Sequence, residues 1–424
     1  MIAIAVMGLW LYQVAVSVGQ IIHLIPSNHS FYRFTGSFIN PGPAGCYLAI
    51  GIPVILRFLI LSNNRLQKWL GMGMALMGAF LIPSSLSRTA MVAAAIGCTV
   101  AASDIIMPRV KRAKWAKINI LAAALLLIAA GAYQWKKDSA DGRLLMWKVA
   151  ADAAMEAPLT GVGWDKVAGS YGDAQERYFA AGKGSEQEVM VAGAPEYVFN
   201  EYLQVAIAFG TPAALWMMAL LIGAIAAAVN AKAFGLAGAA VAVGVVMTAS
   251  YPLQFPLFTV TIGVVLAGCY LSERKGWIRW AGCIATIASA WFLLANNSVK
   301  DVSGEFNAGR SLHRVERYRK SIDCLLAIAP YTSDPMPLNI IGKNYQALGM
   351  PDSAAHYFRR AANRCPNRLY PHYLLMQLYA DSASYDRDLM LQEARILATK
   401  KEKVPSPAID EMRRKALTIL NSHP

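Results

Sequence analysis

Long apolar stretches separated by short polar connections dominate the first 299 residues of the chain. A membrane-spanning helix needs about 20 mostly apolar residues, and nine stretches approach that length. The predicted spans are Ile2–Leu24, Ala44–Leu61, Leu66–Ile82, Thr89–Met107, Ile118–Trp135, Tyr202–Ala228, Phe234–Ser250, Pro256–Leu271 and Trp277–Leu294. The pattern predicts an all-α fold whose first part is a polytopic transmembrane bundle of about nine spans.

The first predicted span, Ile2–Leu24, resembles a secretory signal peptide in its position. It has no basic leading segment and no small-residue cleavage site, so a retained helix is favoured. Because the chain starts directly inside this apolar run, a missing N-terminal portion stays open. Three further spans there would preserve the orientation predicted below.

Composition divides the chain into two parts. Residues 1–299 carry 34 charged side chains, about 11%, whereas residues 300–424 carry 32, about 26%, close to the roughly 25% of soluble domains. We therefore predict a transmembrane domain over residues 1–299 and a water-exposed domain over residues 300–424. This division excludes a single soluble globule, a disordered chain and a disulfide scaffold. The six histidines and six cysteines show no metal-binding spacing, so neither a metal nor another cofactor is predicted.

Basic residues indicate which way the bundle faces, because they favour the cytoplasmic side of short loops. They gather at residues 57–68, 109–117, 232 and 274–279. The long loop of residues 134–199 instead carries seven basic and ten acidic residues, so it is predicted on the outer side together with the tail. The net charge of +14 thus reflects topology, and no nucleic-acid partner is expected.

Within the tail, residues 338–366 fit one tetratricopeptide repeat, a helix–turn–helix unit of 34 residues. The matching positions are Leu338, Ile341, Gly342, Tyr345, Gly349, Ala354, Phe358, Ala361 and Pro366. A single repeat cannot bury its faces, so two and a half to three helical pairs are predicted. Two interpretations stay open: a packed helical cap, and a groove for a protein partner.

Three polar segments on the predicted outer side are not explained by topology, and ionisable groups near the membrane are costly. The first, residues 35–43, includes Asn40, and its Gly, Asn and Pro content predicts irregular backbone, although a plain turn with Pro at a helix start would also explain it. The second contains Ser87 and Arg88. The Arg88 guanidinium either reaches lipid head groups or binds two oxygens of a phosphate through its planar guanidinium group. The third is the outer loop, which contains Arg143 and is longer than most loops without a function.

Together these segments resemble the O-antigen ligase superfamily of bacterial membrane proteins. The resemblance covers roughly residues 34–271 and rests on five pieces in order. They are TGSFINPGP at 35–43, Ser87-Arg88, GRLLMW at 142–147, PLTGVGW at 158–164 and NEYLQ at 200–204. A tetratricopeptide tail is also similar to the arrangement in Bacteroides-type members.

The resemblance implies a metal-independent glycosyltransferase at the outer face of the bacterial cytoplasmic membrane, with a periplasmic tail. Its donor would be a glycan on undecaprenyl diphosphate, and its acceptor a lipid A–core sugar, a glycan or a protein. Arg88 and Arg143 would neutralise the diphosphate leaving group, with Asn40, Ser87 and Asn200 in supporting loops.

One position departs from the family pattern. Active members usually carry His directly before the Asn of the NEYLQ segment at 200–204, here called the closing motif. This chain has Phe199 at that position, and Phe cannot accept a proton. Glu201 or Glu196 could supply the base instead, although a carboxylate at a helix N-terminus such as Glu201 is also explained by the helix dipole.

Two further functional classes stay open. The first is a catalytically impaired relative that binds lipid-linked glycan, or that scaffolds surface-polysaccharide assembly through its tail. The second is a transporter, which is disfavoured because Asp104 is the single acidic residue within the predicted spans and no buried ion relay is evident.

Overall fold

The computed structural model describes residues 2–105 and 137–423 of the protein. These residues form helices and loops and contain no β-strand, which confirms the all-α class for the described part. The predicted span Ile118–Trp135, the end of Thr89–Met107 and the basic cluster at 109–117 lie outside the described residues.

The helices are numbered here in chain order. The first twelve are α1 (Ile2–Ile21), α2 (Pro41–Leu61), α3 (Arg65–Ser84), α4 (Arg88–Ala101), α5 (Lys137–Ala154), α6 (Val167–Ala180), α7 (Glu186–Val191), α8 (Glu201–Phe209), α9 (Thr211–Asn230), α10 (Phe234–Ala249), α11 (Pro256–Ser272) and α12 (Gly276–Asn296). The tail contains α13 (Ser303–Arg314), α14 (Tyr318–Ile328), α15 (Met336–Ala347), α16 (Pro351–Arg364), α17 (Tyr370–Ala380), α18 (Arg387–Thr399) and α19 (Pro407–Ser422).

The chain divides into two compact units. The membrane unit comprises Met1–Lys137, Phe199–Tyr202 and Pro212–Asn297, and the loop–tail unit comprises Asp138–Val198, Leu203–Thr211 and Ser298–Pro424. The outer loop thus belongs to the same compact unit as the tail, whereas composition groups it with the membrane part.

Four helices among the described residues are long and apolar enough to cross a membrane, namely α1, α2, α9 and α12. Helices α4, α10 and α11 are apolar but shorter, at 10–17 residues. Helix α3, predicted as a span, is not among the four because its first turn contains Arg65, Gln67 and Lys68. Several apolar helices are thus present, and the count of nine spans stays a prediction.

Helices α2, α4 and α10 pack against one another at the centre of the membrane unit. A Cβ atom on Gly97 would lie 2.8 Å from the carbonyl oxygen of Gly238, and one on Gly238 would lie 2.3 Å from the carbonyl oxygen of Gly97. Only glycine permits this close approach of the two backbones. Lipid removes the hydrophobic driving force between helices, so packing of small residues is what holds helices together in a membrane. On the other side of α2, the indole N–H of Trp10 donates to the Leu48 carbonyl at 2.9 Å.

The single span predicted over Tyr202–Ala228 is wrong. The chain leaves the helical conformation at Gly210, whose φ is 87°, and α8 and α9 are separate helices. A Cβ on Gly210 would lie 2.4 Å from the Leu159 carbonyl oxygen, so the break occurs where the outer loop touches the backbone.

The same loop segment terminates α8. The N–H groups of Val162 and Gly163 donate to the carbonyls of Ile207 and Ala208, both at 2.9 Å. The last carbonyls of a helix lack hydrogen-bond partners within the helix. Here the PLTGVGW segment supplies the donors. Gly161 completes the contact with a φ of 66°, and a Cβ there would lie 2.3 Å from the Ala208 backbone. This motif therefore holds the C-terminal end of α8 in place.

In the tail, each helix packs against the next one along the chain. Helices α13–α18 form three consecutive pairs, followed by α19. A Cβ on Gly342 of α15 would lie 2.4 Å from the ring of Phe358 on α16, and Ala354 and Ala361 are fully buried. This packing is the kind that the repeat pattern predicts, but the tetratricopeptide assignment itself stays a prediction.

Within the loop–tail unit, loop helix α6 lies against tail helix α16. The guanidinium of Arg364, 1% exposed, contacts Asp173 and Glu176 of α6. The Gln175 amide donates to the Arg364 carbonyl at 2.5 Å, and a Cβ on Gly169 would lie 2.0 Å from the Pro330 carbonyl oxygen. The loop therefore owes much of its conformation to the tail.

Candidate active site

The predicted site residues lie in both units. The membrane unit contains Asn40, Ser87, Arg88, Asn200 and Glu201, and the loop–tail unit contains Arg143 and Glu196.

Asn40 connects two distant segments of the membrane unit. As the N-cap of α2 it accepts the Gly42 N–H at 3.1 Å through Oδ1, which satisfies one of the free donors at the helix start. Its Nδ2 donates to the hydroxyl of Tyr251 at 2.7 Å. The Tyr251 ring also meets the Phe199 ring edge-on, with 4.8 Å between centroids. Tyr251 therefore holds the entry to α2 and the closing motif together, a role that the sequence did not reveal.

Phe199, at the position where the resemblance to the superfamily implies a His, has a φ of 55°. A bulky residue in this left-handed region is uncommon, and backbone strain of this kind clusters at functional sites. The ring packs on Tyr251 and cannot exchange a proton. The departure from the pattern thus replaces a titratable group with an aromatic contact.

Arg88 begins α4. Its neighbour Ser87 is the N-cap, whose hydroxyl oxygen accepts the Ala90 N–H at 3.3 Å. Thr89 is buried and donates to the Ala249 carbonyl at 3.3 Å, which ties this helix start to the end of α10. A helix N-terminus carries partial positive charge and favours anions. Arg88, half-buried at that point, adds a full positive charge to it.

Glu201 is the first residue of α8, a nine-residue helix that lies outside the candidate spans, and it is 1% exposed. Its Oε1 accepts the backbone N–H of Leu253 at 2.7 Å. Its buried Oε2 has no hydrogen-bond partner within the described ranges. Burial raises the pKa of Glu201 to about 8, and the Leu253 N–H opposes that shift. The carboxyl is therefore largely protonated at neutral pH.

Replacing Glu201 with Gln should change how stability depends on pH. The pKa of Glu201 is raised from 4.5 to about 8 on folding, so the unfolded chain binds fewer protons between these values. The wild type should therefore lose stability as pH rises through this window. Gln keeps an acceptor for Leu253 and does not ionise, so we expect the melting temperature of Glu201→Gln, relative to wild type, to increase from pH 5 to pH 8.5. A constant difference between the two proteins would contradict the raised pKa.

The remaining predicted residues are less enclosed than Glu201. Glu196 is exposed, and its Oε1 accepts the Tyr197 hydroxyl at 3.0 Å. Arg143 is half-buried on α5, and Asn200 is half-buried directly before α8. The two candidate bases therefore differ sharply in environment, because Glu201 is enclosed and Glu196 faces solvent.

Metal coordination was not predicted from the sequence. The described ranges contain no group of three or more His, Cys, Asp or Glu side chains that could hold a metal ion. Metal-independent chemistry remains a prediction.

Residues 44–218 match the family model described as O-antigen ligase. The matched segment is an O-antigen ligase domain. It confirms the superfamily that the motifs indicated, and with the apolar helices it makes the chain a membrane protein. No curated protein and no solved structure matches the chain.

The O-antigen ligase domain begins inside α2 and ends inside α9. It contains both arginines and both candidate bases, Arg88, Arg143, Glu196 and Glu201, whereas Asn40 precedes it by four residues. Members of this family are membrane enzymes of the glycosyltransferase type, so an enzymatic role is consistent with the domain.

Proposed function

We propose that the protein is a membrane glycosyltransferase that transfers a glycan from undecaprenyl diphosphate to an acceptor hydroxyl on the outer face of the bacterial cytoplasmic membrane. The observation that carries this proposal is the O-antigen ligase domain, which includes two arginines in positions that topology does not require, Arg88 and Arg143. The acceptor is a lipid A–core sugar, a glycan chain or a protein hydroxyl.

The proposed reaction is a displacement at the anomeric carbon of the donor sugar. The acceptor oxygen forms the new glycosidic bond while the bond from that carbon to the diphosphate oxygen breaks. Negative charge accumulates on the leaving diphosphate, and the sugar becomes oxocarbenium-like. Arg88 at the positive end of α4, together with Arg143, offsets the charge on the diphosphate. Asn40, Ser87 and Asn200 support the backbone around these groups.

The acceptor hydroxyl must lose its proton, and Glu201 is the proposed base. A general base works best when its pKa is near the operating pH, and burial moves the pKa of Glu201 to about 8. Its Oε2 has no partner among the described residues. In the fraction of molecules whose Glu201 is ionised, Oε2 is the atom proposed to receive the proton. Glu196 remains the alternative, but nothing in its solvent-exposed setting prepares it for proton transfer.

The proposed setting is the inner membrane, with about nine spans and a periplasmic tail. Lipid surrounds the spans, and the lipid-linked glycan and its acceptor are the substrates. If the tail is a tetratricopeptide domain, it also offers a surface for a protein partner.

A transfer assay tests the proposal directly. Purified full-length protein in lipid nanodiscs is mixed with undecaprenyl-diphosphate glycan and delipidated core oligosaccharide from the source strain, and the product is followed by mass spectrometry. We expect a product heavier than the acceptor by one donor glycan, and release of undecaprenyl diphosphate. Deletion of the gene should remove the same linkage from the cell surface. Donor consumption with no acceptor dependence would overturn the transferase proposal.

One observation favours a second candidate function, an impaired relative that binds lipid-linked glycan or scaffolds polysaccharide assembly. Phe199 occupies the position of the family His and packs on Tyr251. That function predicts donor binding without turnover in the same assay, and an unchanged linkage after deletion.

A further inference from the structure

A cavity of about 490 Å³ lies within the loop–tail unit, and Glu196, the alternative base, is one of its lining residues, whereas Glu201 and the two arginines are not. Its walls come from loop residues on and after α6 and from two tail segments, residues 299–303 and 331–334. The volume falls within the range of about 300–1,000 Å³ that is typical of small-molecule sites.

The lining of the cavity mixes polar and apolar groups, as the surface of a sugar does. Among its lining residues, Glu196 and Asp301 can accept hydrogen bonds, Lys300 can donate them, and Ser303 and Thr332 can do both, while Val299 and Val302 add apolar surface. Sugar hydroxyls also donate and accept at once, so they match such a mixed lining. A free phosphate is disfavoured, because the carboxylates would repel the anion.

The Tyr331 ring forms an aromatic wall of the cavity, and two lysine ammonium groups lie near it. The Nζ atoms of Lys300 and Lys166 lie 4.7 and 6.0 Å from the centre of its ring. Lys300 also pairs loosely with Glu305 at 3.5 Å, and both side chains of that pair are substantially exposed. An exposed ion pair contributes little, so Lys300 can turn its ammonium group to a ligand at small cost.

The loop wall of the cavity is held in place before any ligand arrives. The buried hydroxyl of Ser333 donates to the Pro195 carbonyl at 2.8 Å, directly before Glu196. The Gln175 amide donates to the Gly193 carbonyl at 2.8 Å, and the Asn367 amide donates to the Ala192 carbonyl. Fixing the wall in advance reduces the ordering cost of binding.

We propose that this cavity binds the terminal sugars of the acceptor glycan, with Glu196 accepting hydrogen bonds from vicinal hydroxyls and Lys300 donating to a ring or glycosidic oxygen. The proposal rests on the proposed function for the identity of the glycan as acceptor. It assigns Glu196 to recognition of the acceptor, while proton transfer remains with Glu201. Glu196 stands five residues before Glu201 in the chain, so one segment carries both roles.

Binding without turnover tests the site. Full-length protein in nanodiscs is titrated by calorimetry with delipidated core oligosaccharide from the source strain, in the absence of donor. We expect saturable binding that Glu196→Gln and Lys300→Ala each weaken by about tenfold, the effect of losing one charge-assisted hydrogen bond. Glu186→Gln is the matched control, because Glu186 is an exposed carboxylate of the same loop and lies outside the cavity. Its affinity should equal that of the wild type.

Kinetics separates recognition from catalysis. In the transfer assay, Glu196→Gln should raise the KM for the acceptor about tenfold and leave kcat within about twofold, whereas loss of a base would lower kcat. The proposal is overturned if the wild type does not bind the oligosaccharide, if Glu196→Gln binds it as tightly, or if kcat falls instead of KM rising. If the oligosaccharide binds but no transfer occurs, the proposed function fails and this site is still supported. If transfer is normal and Glu196→Gln has no effect, the proposed function is supported and this site fails.

Discussion

Arg88→Ala and Arg143→Ala should each lower glycan transfer by about 10²–10³-fold, the usual effect of removing one group that stabilises transition-state charge. The reason is the leaving diphosphate, whose growing negative charge these guanidinium groups are proposed to meet. Arg88→Lys should recover part of the activity, because Lys keeps the charge but loses the planar fork that binds two oxygens at once. The measurement is kcat/KM for the lipid-linked donor.

The chain offers a closely matched control in Arg65. It is also the first residue of a helix, α3, and its N-cap Asn64 accepts the Leu66 N–H at 2.8 Å, as Ser87 accepts an N–H at the start of α4. A cation at a helix N-terminus is disfavoured by the dipole by about 0.3–1 kcal/mol. The dipole alone therefore predicts that Ala at either position leaves the helix intact. We expect Arg65→Ala to transfer within about twofold of wild type. Normal transfer by Arg88→Ala at wild-type abundance would refute the assignment.

Arg364→Met should destabilise the loop–tail unit by about 3 kcal/mol, the low end of the range for breaking a buried ion pair. The Arg364 side chain is 1% exposed and contacts Asp173 and Glu176, whose side chains are 42% and 15% exposed. Its guanidinium also donates to the Thr332 carbonyl at 3.3 Å. The cost stays at the low end because Arg360 still pairs with Glu176 at 2.7 Å. Hydrogen exchange of the α6 amides should rise by about two orders of magnitude if opening follows this free energy.

Arg368→Met serves as the comparison. Arg368 pairs with Asp334 at 3.4 Å, but the two side chains are 43% and 47% exposed. Exposed pairs contribute about 0–1 kcal/mol, so exchange in α6 should change little. Equal exchange in the Arg364 and Arg368 variants would show that the buried guanidinium does not hold the loop.

The apolar pattern predicted those helices that end where hydrophobicity ends. The spans predicted at Ile2–Leu24 and Trp277–Leu294 correspond closely to α1 and α12. The pattern failed at Gly210 because the residues on both sides are apolar. What ends α8 is a set of hydrogen bonds from Val162 and Gly163, some 45 residues upstream, and hydropathy does not record such partners.

In the site, too, some residues could be predicted from the sequence and others could not. Arg88 was singled out by its unexpected charge, and Glu201 by its place in the closing motif. Tyr251 had no such signal, since it lies in an ordinary connection and its partner Asn40 is 211 residues away. The hydrogen bond to Glu201 was likewise not visible in the sequence, because its donor is Leu253, in the connection between α10 and α11. Composition also could not show that the outer loop folds with the tail.

The ion pairs between α6 and α16 impose an order on biosynthesis. Arg360 and Arg364 pair with Glu176 and Asp173, residues that leave the ribosome 184 and 191 positions earlier. During translation these carboxylates therefore lack their native partners until α16 has been made. A chain that lacks α16 leaves the outer loop without these ion pairs, so the loop acquires them only after α16 has been synthesised.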